Sequence, residues 1–442
     1  MSNKAIHQVL TRAMRIAAGI AAVTMMPIVP AFADSPHAVV IKSARLFDSV
    51  SGKLTEPGQV VVVGDKIVSV GSGAAPPANA DVIDLGDATL LPGFIDAHVH
   101  LSDESGDNWY KDWYNTMMRF PAEQALYGAH YAKITLEAGV TTVRDLGSED
   151  FISLGLRNAI NDGMIPGPRM LIANHGIGAT GGHADQDPIP PQTVAQPGLL
   201  EGVCNGADEC RAAVRHQIKY GADVIKFMPS GGVMSLADSV DEPELTQEEM
   251  NAIVSEAHMW KRKVAAHCHG DKAAKMAILA GVDSIEHGTF IKEDTLLEMK
   301  KKHVFLVATL SAQESVGAKA DSFPAAIQVK ARAAAAQVKT MFGNAVRIGV
   351  PIAMGTDAGV DPHGRNAHEF TLMNRYGMPA ADVLLAGTAG GAELLGMSDS
   401  IGTLQPGKQA DIVAVRGNPL ADMQLVEHSL FVMKGGVVYK RP

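Results

Sequence analysis

Between residues 91 and 400 the chain alternates short apolar runs with helical segments, and it does so eight times. The runs are GFIDAHVH, TTVRDLG, RMLIAN, ADVIKFMPSGG, KVAAHCH, SIEHGTF, VFLVATL and PIAMGTDAG. Most lead into a helix-patterned stretch, such as AEQALYGAHYAKITLEAG after the first or Ala325 to Arg347 after the seventh. Continuous apolar runs punctuated by amphipathic helices are what parallel strands buried on both faces require. The pattern predicts an α/β chain built on a (β/α)8 TIM-type barrel. A doubly wound open sheet is the competing arrangement, but no G-x-G-x-x-G follows the first strand.

Both flanks read differently. Residues 34–90 carry short alternating strands between Gly, Asp and Pro turns, with VVGDKIVSV forming a hairpin around Gly64 and Asp65. Residues 401–442 have the same character. Neither end can bury a sheet face alone, so the economical arrangement pairs them into one small β-sandwich. Residues 1–33 combine Lys4, Arg12 and Arg15 with an apolar stretch, Ile16 to Pro30, and an A-x-A site at Ala31 to Ala33. That is the layout of a cleavable signal peptide, and the apolar part is short for a span of about 20 residues. It predicts a secreted or periplasmic protein, with a retained anchor as the alternative.

Export brings oxidising conditions within reach. Cys204 and Cys210, six residues apart, are expected to form a small-loop disulfide, and Cys268 is read as a buried structural thiol. Hydrophobic residues are 46% of the chain and charged ones 19%, which suits a large core. The net charge of −10, without a basic block, argues against a nucleic-acid or anionic-membrane partner.

In such a barrel the chemistry sits where the strands stop. There the sequence places His98 and His100, Lys226, His267 and His269, His287, and Asp357. His98 and His100 are two apart on a strand and share a face. Imidazoles and a carboxylate gathered at separate strand ends are the donors that Zn²⁺ and similar ions take. A lysine buried beside dications is costly as a cation. Driven neutral, Lys226 could react with CO2 to give a carbamate, an anion able to bridge two metals.

Together, FIDAHVH, GADVIKFMPSGG, VAAHCHG, SIEHGT and MGTDAG resemble the amidohydrolase superfamily. GVTTVRDLG, GATGGHAD and HCHG are most similar to its Xaa-Pro dipeptidase-like and carboxypeptidase-like branch, which includes ochratoxin-hydrolysing enzymes. The resemblance implies two divalent ions, Zn²⁺ by default. His98, His100 and Asp357 would bind one and His267 and His287 the other, with carboxylated Lys226 as the bridge. On the fifth strand the choice lies between His267 and His269. The family's usual spacing of 20 residues before the sixth-strand histidine favours His267.

The resemblance further implies a small-molecule amide substrate, hydrolysed by hydroxide shared between the metals. The scissile bond joins a C-terminal amino acid in a dipeptide, an N-acyl amino acid or ochratoxin A. Asp357 is the expected proton shuttle, and His287 joins it in the catalytic set. His269, His183, Arg144 and Met228 are the candidate substrate contacts, with Arg144 equally able to pair with Asp145. Relatives of this branch are often homo-oligomers. Cyclic-amide hydrolysis or deamination on the same fold is the alternative, and Lys226 argues against the deaminase.

Overall fold

The computed structural model describes residues 38–442 except 72, 74–76, 78, 186–189, 191 and 193–194. The expected signal peptide, residues 1–33, lies outside them.

Seven parallel strands carry the ends at or just beyond which the candidate histidines and Lys226 of the metal centre sit. They are Phe94–Val99, Val140–Asp145, Arg169–Ile172, Val224–Phe227, Lys263–Cys268, Ser284–His287 and Phe305–Val307. The first three form one parallel sheet and the last four another. Their residues are almost wholly buried, which explains why they read as apolar runs rather than alternating ones. Isolated parallel bridges link Ile177 to Phe227, Leu306 to Ile352 and Val99 to Ala358. The expected eighth strand, PIAMGTDAG, is not regular. It meets its neighbours through single bridges and through bonds such as Ala97 N–H to Met354 O and Asp357 N–H to His98 O.

Helices cover these strands, among them Pro121–Glu137, Ala207–Lys219, Gln247–Met259 and Ala325–Ile348. Thr246 starts the third of these with a reciprocal cap, accepting from Glu249 N–H while the Glu249 carboxylate accepts from Thr246 N–H. Two helices appear that the apolar pattern did not announce, Trp109–Met118 and Leu310–Ala318. The first buries none of its residues fully; only its stacked Trp109 and Trp113 are half-buried aromatics, Trp109 packing against the cluster of Val233, Val316 and Phe323.

The chain ends meet as expected in one six-stranded sheet, where Ile412–Arg416 pairs with Ala88–Pro92. A four-stranded sheet containing the Gly58–Val63/Lys66–Val70 hairpin lies against it across a shared core of Ile41, Val60, Leu90, Ile412 and Phe431. Cys204 and Cys210 are joined as a disulfide, and Cys268 is buried and free. Among the described residues no helix is long and apolar enough to cross a membrane.

Candidate metal centre

The strand ends bring together every residue proposed as a metal ligand. His98, His100 and Asp357 offer ligand atoms that all lie within 4.8 Å of one another, and His267, His269 and His287 form a second such group. Asp357 Oδ1 is 3.1 Å from His100 Nε2 and 3.4 Å from His98 Nε2. Lys226 Nζ approaches the same His98 Nε2 at 3.4 Å. Both groups line one cavity of about 130 Å³ with Lys226. His287 and Asp357 take left-handed backbone conformations, φ 67° and 59°. Such strain in residues other than glycine is tolerated where a turn must aim a side chain.

Four histidines are oriented by protein oxygens on Nδ1. The partners are Glu286 Oε2 for His98 at 3.0 Å, Gly147 O for His100 at 3.0 Å, Thr289 Oγ1 for His269 at 2.8 Å and Thr309 Oγ1 for His287 at 2.7 Å. Each leaves Nε2 for the cavity, the arrangement by which outer partners fix a metal-binding imidazole. His267 differs. Its Nδ1 lies 3.0 Å from His287 Nε2, while its Nε2 is buried without a hydrogen-bond partner.

Burial holds His98 down to about 4 and His269 to about 3, and pushes His267 and His287 well below the usual imidazole range. Neutral imidazole is the form that binds a metal. Burial also lowers Lys226 to about 8, although Glu286 and Asp357 pull the other way. It would raise Asp357, but His98, His100 and Lys226 outweigh it and keep that carboxylate at about 2. At His100 burial is outweighed by the Asp357 carboxylate, which raises that imidazole. The rest of the donor set, neutral imidazoles, an ionised carboxylate and a lysine whose cation is disfavoured, fits divalent ions.

The candidate substrate contacts divide. His183 and Met228 line both this cavity and an outer cleft of about 550 Å³. Gly232 lets His183 approach, since a Cβ there would sit 2.1 Å from its ring. His269 lines the inner cavity. Arg144 is in neither space, which corrects its reading as a substrate clamp. Its guanidinium is buried, bonding Ala97 O at 2.6 Å, Ser284 Oγ at 3.1 Å and Glu286 Oε1 at 2.8 Å. Asp145 is not its partner either; that carboxylate accepts from Leu101 N–H. A buried guanidinium needs acceptors and a counter-charge, and the strand interior supplies an acceptor for each of its three nitrogens, one of them the Glu286 carboxylate.

Sequence reasoning passed over Glu286, which lies between Arg144 and His98 and is held at about 2 because Arg144 and His98 outweigh burial. A carboxylate inside the apolar SIEHGTF run was the available sign, because a charge buried there must be paired. It also passed over Gln313, on the unannounced helix Leu310–Ala318, which lines the inner cavity.

Residues 89–438 match the Amidohydrolase family. Ochratoxinase from Aspergillus niger is 31% identical over 440 residues, covering 94% of this chain and 89% of that protein. Its crystal structure superposes with a TM-score of 0.82 over 92% of this chain and 97% of that one. The crystal structure of a Xaa-Pro dipeptidase with bound methionine in its active site is 38% identical, with a TM-score of 0.87 over 91% of this chain and all of that one. A prolidase crystallised with N-methylphosphonate-L-proline is 28% identical, with a TM-score of 0.83 over 92% of this chain and all of that one. A family match across most of the chain, together with these relatives, shows that the chain belongs to the amidohydrolase family of hydrolases.

Proposed function

We propose that the protein is an exported binuclear metal-dependent amidase that hydrolyses the amide bond to a C-terminal amino acid. The observation that carries this reading is the pair of three-residue donor groups meeting around Lys226 in one cavity. His98, His100 and Asp357 would hold one divalent ion and His267 and His287 the other, with Lys226 as its carbamate between them. Zn²⁺ suits this nitrogen and carboxylate set. Such ions, when bound, polarise a carbonyl and lower the pKa of water.

The chain's own residues supply the rest. Asp357 is ionised, so its carboxylate can take a proton from the attacking water and return it to the leaving nitrogen. His269 and His183 are uncharged in the wall of the cavity, where each could offer a ring nitrogen to the substrate. Met228 gives the wall beside them an apolar surface. The two parallel sheets and the irregular segment at Ile352 to Ala358 fit one closed (β/α)8 barrel, a reading supported by the three linking bridges. The Cys204–Cys210 disulfide supports export to an oxidising compartment.

The test is a release assay on dipeptides, N-acyl amino acids and ochratoxin A, run before and after metal chelation. Release of the C-terminal residue that chelation abolishes and added Zn²⁺ restores is the expected result. Release that survives full metal removal would overturn the reading.

A further inference from the structure

Helix Leu310–Ala318 starts from Thr309, whose Oγ1 holds His287 Nδ1. Its first turn is tied down at both edges. The Glu369 carboxylate accepts from Leu310 N–H and Ser311 N–H, each at 2.8 Å. Ser311 Oγ donates to Thr356 O at 3.2 Å, next to Asp357. Gln313 ends that turn, its N–H bonding back to Thr309 O at 3.3 Å. Gln313 is only 5% exposed and lines the inner cavity, not the outer cleft. Yet its Oε1 has no hydrogen-bond partner. A buried acceptor fixed in place and left unpaired is costly unless a ligand donates to it.

An amide bond entering a cavity of about 130 Å³ brings one acceptor, its carbonyl oxygen, and one donor, its N–H. The oxygen belongs with the metals, so the N–H needs an acceptor that is not a ligand. Besides the proposed ligands, the polar groups of the wall are His183, His269 and Gln313. Asp238, paired with Lys330, accepts from Ser235 Oγ–H, and that oxygen therefore accepts from His183 Nδ1–H across 3.1 Å. This leaves His183 Nε2 as a second acceptor, on a ring that the inner cavity shares with the outer cleft. Gln313 is the acceptor confined to the inner of these two spaces. Resting on the amidase reading above, we infer that Gln313 determines specificity: its Oε1 accepts the N–H of the scissile amide, so secondary amides are favoured over tertiary ones. A bond to proline or to an N-methylated residue carries no such hydrogen and leaves the acceptor stranded.

The experiment compares Ala-Leu, Ala-(N-methyl)Leu and Ala-Pro on the metal-loaded native enzyme and on Gln313→Met, which keeps the side chain's bulk without the acceptor. The native enzyme should favour Ala-Leu over both tertiary amides by at least about tenfold in kcat/KM. Gln313→Met should lower kcat/KM for Ala-Leu by about tenfold and leave the tertiary amides within about twofold, so that the preference collapses. Loss of packing alone would lower all three together and preserve the preference. If Gln313→Met does not fold, Gln313→Asn, which withdraws the acceptor by one methylene, carries the same expectation. Metal content should stay at the native value in either variant; its loss would make Gln313 a support of the metal centre and overturn the inference. Equal or faster native cleavage of either tertiary amide, or a preference that the variant leaves intact, would also overturn it and leave the amidase reading standing. Cleavage of none of the three would remove both.

Discussion

His267 points its Nδ1 at His287 Nε2 across 3.0 Å, whereas the other histidines of the cavity have Nδ1 engaged by a protein oxygen. His269, two residues on, lies in the same donor group, stacked on His287 with ring centroids 4.8 Å apart. Three imidazoles thus compete for two roles. The proposed assignment gives His267 and His287, whose ring nitrogens face one another, to an ion and His269 to the substrate.

His267→Asn should therefore lose about one of two bound metals, while His269→Asn should keep both and lose activity. Metal analysis of the purified variants checks this. Equal metal loss in the two variants would contradict the assignment.

Asp357 is proposed both to bind a metal and to move a proton. An asparagine keeps a ligand oxygen but cannot carry the proton. Asp357→Asn should bind metal and lose kcat by roughly 100- to 10,000-fold. Near-normal kcat, measured beside the metal content, would remove Asp357 from proton transfer.

Arg144 and Glu286 are a fully buried ion pair, and Glu286 in turn holds His98. Arg144→Met strands that carboxylate. Removing one member of such a pair costs about 3–5 kcal/mol of stability. Denaturant unfolding of the metal-free protein reads the loss directly; a change within error of zero would contradict the role given to the pair.

Glu244 accepts from His183 N–H, but burial raises its carboxyl to about 8. A carboxyl whose pKa is higher folded than unfolded binds its proton more tightly in the fold. Its contribution is present below pH about 4.5 and is lost as pH rises to about 8. Glu244→Gln should flatten the fall in melting temperature across that window. An unchanged slope would show that Glu244 does not titrate there.

The candidate ligands were legible because a strand buried on both faces leaves few reasons for a polar residue at its end. His98, Lys226, His267, His287 and Asp357 each stand out against an apolar run. The cysteine pair was legible from its short spacing. Other features depend on distant partners. Arg144 follows Thr142 and Val143 on a buried strand, but only the fold places Glu286, 142 residues away, opposite it. Gln313 sits on a helix whose apolar pattern is weak, so nothing local marks it as cavity-facing. The eighth strand was read from apolar content alone, and its Gly and Asp turns break the ladder into single bridges.

The central claim is a two-metal amidase, and metal stoichiometry paired with product release tests it most directly. The account predicts about two divalent ions per mature chain, together with release of a C-terminal amino acid from a dipeptide or N-acyl amino acid. One ion per chain with no amide cleavage would contradict it, and would remove the carboxylated lysine along with the second metal.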